Sequence, residues 1–176
     1  MSARHLVLVG MMGAGKSTVG EACASRLGRG FVDTDTLVEA NSGETVAELF
    51  ERGEAEFRAW ERRAIADVAA SPVPLVVACG GGAVIDPENR RALRASGVVV
   101  WLRATPETLA ARVGDGTDRP LLASDPIGAL RRLASLRDDA YTASADVVID
   151  VDHHAVDQVV DAVTAAYEAH ATEVGA

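Results

Sequence analysis

A glycine-rich loop constrains this chain more than any other feature, because it follows a short hydrophobic run and precedes a helical pattern. The loop spans residues 10–17, reads GMMGAGKS and fits the pattern G-x-x-x-x-G-K-[ST]. Glycines allow successive backbone N–H groups to face one anion, and the following helix adds its positive end. The loop therefore predicts a binding site for nucleotide phosphates. The alternative is a glycine-rich turn that contains a lysine by chance, and it requires neither neighbouring element.

The charged residue of this loop also bears on the choice of nucleotide. Lys16 would reach the β- and γ-phosphates, and the Ser17 hydroxyl would be a ligand of Mg²⁺. Lys16 is the only lysine in the chain, so the Asn/Thr-Lys-x-Asp loop of a guanine-specific NTPase is excluded. We therefore expect ATP and Mg²⁺ as the cofactors.

Composition excludes several classes of partner. The 176 residues suffice for one domain, and 17 Lys+Arg against 26 Asp+Glu give a net charge of −9. This charge argues against binding to a nucleic-acid backbone or an anionic membrane. The apolar runs are too short for a membrane span or a signal peptide, so we expect a cytoplasmic protein. Cys23 and Cys79 form no CxxC pair and are interpreted as small buried hydrophobic residues.

Apolar periodicity predicts short strands that alternate with longer helices. This alternation is typical of an α/β fold with a central five-stranded parallel sheet flanked by helices. The candidate strands are His5–Val9, Gly30–Val32, Leu75–Ala78, Val98–Leu102 and Asp146–Ile149. Residues 33–74 leave room for about two or three helices, more than a plain crossover needs. A helical pattern at Val156–Tyr167 predicts a C-terminal helix, followed by a fraying tail.

Several helix boundaries are marked by capping residues. An N-cap residue precedes a first-turn proline at Asp86-Pro87, Thr105-Pro106 and Asp125-Pro126. Thr45 and Glu48 fit a capping box, and Gly53 fits a helix end.

Two carboxylates follow the second predicted strand, where ligands of α/β sheets bind. We assign Asp33 to the Mg²⁺ shell, through water. Asp35 is then available to bind an acceptor hydroxyl and to take its proton, a role worth about 10²- to 10⁴-fold in rate. The alternative is that both acids cap the next helix.

Two arginines stand out in helical patterns. Arg58 borders an apolar stripe, and Glu54 and Glu61 at helical spacing allow a solvated ion-pair face as the alternative. Arg137 lies within an apolar stripe, where a buried guanidinium would need an anion. A buried stem with a snorkelling head is the alternative for Arg137.

A polar, glycine-containing segment before Arg119-Pro120 is interpreted as a lid. Arg119 on such a lid could close over the transferring phosphoryl group. Arg112, at the end of the preceding helix, could stack on adenine or cap its own helix. Gly80-Gly81-Gly82 follows the third predicted strand and permits close backbone approach to a small ligand.

On five segments, the chain resembles the shikimate kinase family. They occur in the family's order: the phosphate loop, Asp33-Thr34-Asp35, Glu56-Phe57-Arg58, Gly80-Gly81-Gly82-Ala83-Val84 and Arg119-Pro120-Leu121-Leu122. A phosphate loop alone is shared by a large superfamily, whereas the other four together are specific. The match covers roughly residues 5–150, nearly the whole domain.

The resemblance implies a three-layer P-loop kinase fold of the nucleoside-monophosphate-kinase type. It implies one domain over residues 1–176, with a core at about 5–33 and 75–170. An acceptor-binding helical region would occupy residues 34–62, and a lid residues 113–125. The protein would be a monomer.

The resemblance also implies transfer of the ATP γ-phosphoryl group to the 3-hydroxyl of shikimate, a step towards chorismate and the aromatic amino acids. Asp35 would hold ring hydroxyls, Arg58 and Arg137 the carboxylate, and the three glycines the ring face. The residues assigned to ATP are Gly13, Ala14, Gly15, Lys16, Ser17, Thr18, Arg112, Arg119 and His154. Ser17 and Asp33 would serve Mg²⁺.

The chain departs from the family pattern in two places. Asp138-Asp139-Ala140 precede Tyr141 where the family commonly has a proline and a leucine, which adds negative charge near Arg137. His153-His154 stand where the family often has a basic residue beside adenine.

Two other functions are compatible with parts of the pattern. Gluconate kinase, or another small-metabolite kinase, would share Lys16, Ser17 and Arg119 but place different groups around the acceptor. A regulatory nucleotide-binding module would need no chemistry, and the presence of Asp33, Asp35 and Arg119 speaks against it.

Overall fold

The computed structural model describes residues 4–114 and 125–173. Within these residues five parallel strands form one sheet in the order β2-β3-β1-β4-β5. The strands are β1 (His5–Val9), β2 (Gly30–Asp33), β3 (Leu75–Ala78), β4 (Gly97–Arg103) and β5 (Val147–Asp150). The predicted α/β fold is confirmed, and each predicted strand is found with its bounds within one residue.

Eight α-helices connect or flank these strands in the described part of the chain. They are α1 (Lys16–Leu27), α2 (Thr34–Ser42), α3 (Val46–Arg52), α4 (Glu54–Ala69), α5 (Pro87–Ser96), α6 (Pro106–Val113), α7 (Pro126–Ser144) and α8 (Val156–Glu173). The segment between β2 and β3 contains three of them, as the length of that segment predicts. Among the described residues, no helix is both long and apolar enough to cross a bilayer.

The central strand is apolar on both faces because helices cover the sheet on both sides. All five residues of β1 are buried, and β1 pairs with β3 on one edge and β4 on the other. α1 and α8 pack together against the sheet, while α5 contacts β4, α4 and α7. Strands buried in this way read as continuous hydrophobic runs rather than as alternating ones.

The predicted helix starts are confirmed by side-chain caps. The side chains of Asp86, Thr105 and Asp125 each accept a backbone N–H of the first turn that follows. Thr45 and Glu48 form a full capping box, and Gly53 ends α3. Both cysteines are buried and unpaired, as predicted.

A second hydrophobic cluster lies among α2, α3 and α4. Its buried members are Val38, Leu49, Phe57 and Ala64, apart from the main core around the sheet. The helices before β3 therefore have a packing centre of their own. The division into a core and an acceptor-binding region stays a prediction.

The parallel sheet gathers the predicted site residues at one edge. The phosphate loop follows β1, Asp33 ends β2, and Gly80 comes two residues after β3. Because all strands run in the same direction, their carboxyl ends meet where ligands of open α/β sheets bind.

Close packing at the opposite end of the sheet predicts that Gly97→Ala destabilises the fold. A Cβ at Gly97 would lie 2.7 Å from the His5 backbone oxygen and 2.9 Å from Val7 Cγ2. Overpacking of this kind costs about 1–3 kcal/mol, which would lower Tm by roughly 3–10 °C in calorimetry.

Gly28→Ala is the comparison variant. Gly28 has open space around it but a φ of +63°, so only backbone strain of about 1 kcal/mol is expected there. A Gly97→Ala protein as stable as the native one would contradict the steric argument.

Candidate active site

The phosphate loop has the backbone shape that its glycines permit. Gly13 and Gly15 adopt φ of +82° and +92°, which strain residues that carry a Cβ. Gly15 precedes α1 and offers no side-chain cap, so no capping side chain from that position occupies the N–H groups of the first turn. Lys16, the first residue of α1, folds back and donates from Nζ to the Met11 carbonyl at 3.0 Å. The loop thus presents an anion-binding helix start with one ammonium group beside it.

Ser17 and Asp33 meet at the boundary between the loop and β2. Ser17 Oγ donates to Asp33 Oδ2 at 2.7 Å, while Asp33 Oδ1 accepts the backbone N–H groups of Asp35 and Thr36 at 3.0 and 3.4 Å. Asp33 therefore caps α2 with one oxygen and faces the loop with the other. The capping alternative holds for Asp33, but it does not exclude the predicted role of Asp33 and Ser17 towards Mg²⁺.

The oxygen donors beside the loop fit a magnesium ion. Mg²⁺ typically takes one or two protein oxygens and completes its shell with water and substrate phosphates. Ser17 and Asp33 are such donors, and they already lie within hydrogen-bond distance of each other. The described residues contain no cluster of three or more His, Cys, Asp or Glu that would form an all-protein metal cage.

Asp35 is a partly buried residue in the first turn of α2. Its Oδ1 is enclosed by the protein and has no hydrogen-bond partner among the described residues. Burial raises the pKa of Asp35, the negative charge of Asp33 raises it further, and Lys16 opposes both effects. Asp35 is not a helix cap, so the capping alternative is wrong for this residue.

Glu61 is a second buried carboxylate, which sequence reasoning missed. It is 1% exposed, and its Oε1 also has no partner among the described residues. Burial raises its pKa, against the lowering effect of the Arg58 guanidinium. Glu61 lies four residues after Phe57 and four before Ile65, both buried. Its place in this apolar stripe is the signal that could have identified it.

Arg58 is held by two glutamates. Its Nη1 donates to Glu61 at 2.7 Å and its Nη2 to Glu54 at 3.0 Å, and the guanidinium lies 5.2 Å from the centroid of the Phe57 ring. The side chain is 19% exposed. A solvated ion-pair face is therefore wrong for the Arg58–Glu61 pair, although Glu54 is exposed.

The three glycines after β3 bring the charged side chains to one turn. A Cβ at Gly80 would lie 2.6 Å from Asp35 Oδ1 and 3.0 Å from Glu61 Oε1, and one at Gly82 would overlap the Arg58 guanidinium. A Cβ at Gly81 would lie 3.5 Å from Arg137 Nη1 and 3.5 Å from the backbone nitrogen of Met12. The site residues predicted on three different helices therefore surround one short backbone segment.

Arg137 is buried on α7 without a carboxylate partner in the described part of the chain. It is 4% exposed, so a snorkelling head in water is wrong. Its Nη1 lies 3.9 Å from Met11 Sδ, and no described carboxylate comes within 4.0 Å of it. Burial of an arginine without an anion is unfavourable, which favours a bound anion at this position.

Asp138, the acidic residue next to Arg137, forms no ion pair with it among the described residues. Asp138 is exposed and lines a cavity of about 230 Å³ with Trp101, Arg103 and Asp150. Its charge acts on Arg103, which forms an ion pair with Asp150.

Arg112 connects α6 to the nucleotide side of the site. Its guanidinium donates to the Val151 carbonyl at 3.2 Å and to the Gly13 carbonyl at 3.4 Å. It therefore bridges to the phosphate loop instead of capping its own helix, and adenine stacking stays a prediction. His154 is exposed and its Nδ1 contacts the Asp152 carbonyl at 2.8 Å, so its predicted role is untested.

Three further residues were predicted at the nucleotide site, on the loop, on α1 and on the lid. Ala14 is buried in the loop, and Thr18 is exposed on the first turn of α1. Arg119 and most of the predicted lid lie outside the described residues.

The anion-binding loop and a buried arginine meet across Gly81, at the ligand-binding edge of a parallel sheet. This fold and site define a P-loop phosphotransferase. The chain belongs to the shikimate kinase family, whose model it matches over residues 12–168. It is 51% identical over 160 residues to the shikimate kinase of Symbiobacterium thermophilum, covering 89% of this chain and 91% of that protein.

Solved structures agree with this assignment. The shikimate kinase of Acinetobacter baumannii in complex with shikimate superposes with a TM-score of 0.88 at 35% identity, covering 92% of this chain and 91% of that chain. A gluconokinase from Sinorhizobium meliloti superposes with a TM-score of 0.68 at 23% identity, covering 98% and 96%. The second likeness concerns the fold alone.

The burial of Asp35 predicts that Asp35→Asn raises thermal stability near neutral pH. A carboxylate whose pKa is higher in the folded chain than in the unfolded chain destabilises the fold at pH values above both pKa values. The penalty disappears as the pH falls below the ordinary value of 3.8. We therefore expect a higher Tm for the variant at about pH 7 and a smaller difference at about pH 4.

Asp139→Asn is the matched control, because it removes one exposed carboxylate from α7. Its Tm should equal that of the native protein at both pH values. An Asp35→Asn protein that melts below the native one at neutral pH would contradict the burial penalty.

Proposed function

We propose that this chain transfers the γ-phosphoryl group of ATP to the 3-hydroxyl of shikimate, giving shikimate 3-phosphate and ADP. The reaction is a step towards chorismate and the aromatic amino acids. One observation carries the proposal: Asp35, Arg58 and Arg137 surround the Gly80–Gly82 turn, and Gly81 lies beside the phosphate loop. Membership of the shikimate kinase family supports the choice of acceptor.

The acceptor's carboxylate would be bound by the two arginines. A guanidinium is planar and donates in a fork that matches a carboxylate, which favours arginine over lysine for this task. Arg58 is fixed by Glu54 and Glu61, and Arg137 has no described carboxylate of its own. The three glycines let these arginines and Asp35 approach one backbone segment, against which the ring of the acceptor would lie.

Asp35 would accept the proton of the reacting hydroxyl. As the hydroxyl oxygen bonds to the γ-phosphorus, the bond to the β,γ-bridging oxygen breaks and ADP leaves with that electron pair. The raised pKa of Asp35 makes it a stronger base than an exposed aspartate. The unpartnered Oδ1 of Asp35 supports this role, since it has an acceptor position to offer.

The phosphates would be held by the loop from Gly13 to Ser17, with Lys16 beside the transferred group. Thr18 continues this first turn of α1. Mg²⁺, when bound, supplies positive charge that offsets charge on the phosphate oxygens, with Ser17 and Asp33 as its protein ligands, directly or through water. Arg119 would close over the phosphoryl group, and Arg112 and His154 would face the adenine. We further propose a cytoplasmic monomer.

Gluconate kinase remains the competing assignment on the same fold. Gluconate also carries a carboxylate and hydroxyls, so the phosphate loop does not distinguish the two acceptors. The family match favours shikimate. A purely regulatory nucleotide-binding role would not explain why Asp35 is partly buried and Arg137 is buried beside the phosphate loop.

A coupled assay of ADP release tests the acceptor. We expect ATP turnover that requires shikimate and a divalent cation, and background rates with gluconate, quinate or a nucleoside monophosphate at equal concentration. Comparable turnover with any of those three would overturn the assignment. Unchanged turnover after EDTA treatment would contradict the magnesium role.

The carboxylate-binding role of Arg58 is tested by Arg58→Lys. Lysine keeps a positive charge beside the buried Glu61 but loses the planar fork, so the fold should survive. We expect the Kd for shikimate to rise about tenfold in calorimetry, while the Kd for ATP stays within about twofold.

Arg62→Lys is the control on the same helix, because Arg62 pairs with Asp86 at the surface at 2.8 Å. Both of its affinities should equal those of the native protein. Equal loss of shikimate and ATP affinity in the Arg58→Lys protein would contradict the proposal that Arg58 binds the acceptor's carboxylate.

A further inference from the structure

A buried tyrosine connects the glycine turn to the second arginine. Tyr141 lies one turn after Arg137 on α7 and is 1% exposed. Its hydroxyl donates a hydrogen bond to the Gly81 carbonyl at 2.5 Å. Gly81 in turn lies against Arg137, with its Cβ position 3.5 Å from Nη1. Gly81 therefore contacts the phenol on one side and the guanidinium on the other.

The two arginines of the site differ in how they are held. Arg58 is fixed by two glutamates, whereas no carboxylate in the described part of the chain comes within 4.0 Å of Arg137. The Arg137 guanidinium lies against Met11 Sδ and Gly81, and the Tyr141 phenol is hydrogen-bonded to that same glycine. Of these groups, a phenol oxygen is a much better hydrogen-bond acceptor than a thioether sulfur.

The hydroxyl of Tyr141 can donate a hydrogen bond to Gly81 and accept another one at the same time. Its single O–H is committed to the Gly81 carbonyl, which leaves its lone pairs to accept an N–H from Arg137. Burial raises the pKa of Tyr141, and the positive charge of the nearby Arg137 guanidinium opposes that effect. The net pKa is raised, so the hydroxyl keeps its proton across the physiological pH range.

The ring of Tyr141 is itself fixed. It stacks on Trp101 with centroids 5.2 Å apart and an interplanar angle of 17°. Trp101 lies on β4, in the rigid sheet. The position of the phenol oxygen is therefore set by the sheet, independently of any ligand.

We propose that Tyr141 is a positioning residue for the acceptor. Its hydroxyl fixes the Gly81 carbonyl and the Arg137 guanidinium in the orientation in which the arginine meets the acceptor's carboxylate. Arg58 obtains its orientation from glutamates, and Arg137 obtains it from this neutral group, so that its guanidinium is not paired with a described carboxylate within 4.0 Å and can pair with the ligand. This inference rests on the proposed function.

Steady-state kinetics of Tyr141→Phe test the proposal. Phenylalanine keeps the ring on Trp101 and removes only the hydroxyl. We expect KM for shikimate to rise about five- to tenfold, the effect of one lost hydrogen bond, with kcat and KM for ATP within about twofold of native values.

Tyr167→Phe is the matched control. Tyr167 is also buried, and its hydroxyl also donates to a backbone carbonyl, that of Arg4 at 2.7 Å, but it lies on α8. This variant should lose a similar amount of thermal stability and keep all native kinetic constants. A Tyr141→Phe enzyme with native KM for shikimate, or with both KM values raised equally, would overturn the positioning role.

A double-mutant comparison tests whether Tyr141 acts on acceptor binding through Arg137. In an Arg137→Lys background, Tyr141→Phe should add less than about twofold to KM for shikimate, because the group that it orients is gone. The same five- to tenfold increase in KM for shikimate in that background would show that Tyr141 does not act through Arg137.

The native protein, assayed first, separates the two hypotheses. Absence of shikimate-dependent turnover in the native protein rejects the proposed function, and the positioning role with it. Native turnover together with an unaltered Tyr141→Phe enzyme rejects the positioning role alone.

Discussion

The site depends on one steric fact, the absence of three side chains at the end of β3. Asp35, Glu61, Arg58 and Arg137 approach the Gly80–Gly82 segment so closely that a methyl group at Gly80 or Gly82 would collide with a charged group. Four charges of alternating sign can then lie around a few atoms of backbone. The arrangement keeps two carboxylates buried at a cost in stability, since burial raises the pKa values of both. An enzyme that must bind an acid and deprotonate its hydroxyl needs both signs of charge within one small volume.

The two halves of the site use different physical means. In the proposed function, phosphates would be bound by backbone N–H groups and a helix start, which need little from side chains apart from Lys16 and Ser17. The proposed acceptor side consists almost entirely of side chains, and these are positioned by ion pairs, by glycine contacts and, as proposed above, by the Tyr141 hydroxyl. The nucleotide half is therefore readable from a short motif. The acceptor half requires residues that are distant in sequence.

This difference explains what the sequence could predict. The strands, the caps and the position of Ser17 and Asp33 at the same edge of the sheet follow from local patterns and from the shared direction of parallel strands. The burial of Glu61 was missed because a glutamate three residues after an arginine also fits a surface ion pair. The bond from Tyr141 to Gly81 joins residues 60 positions apart, and the Arg112 bridge to Gly13 joins residues 99 apart. Contacts of this kind depend on tertiary packing, which no local pattern encodes.

Helix α4 belongs to two packing centres, because Phe57 and Ala64 lie in the smaller hydrophobic cluster while Ile65 and Val68 lie in the main core. The carboxyl-terminal part of α4 is therefore fixed by the main core, and its amino-terminal part packs against α2 and α3. Arg58 lies in the amino-terminal part of α4, so a small tilt of α2 and α3 would also move its guanidinium. The position of the proposed carboxylate ligand Arg58 therefore depends on how those two helices pack.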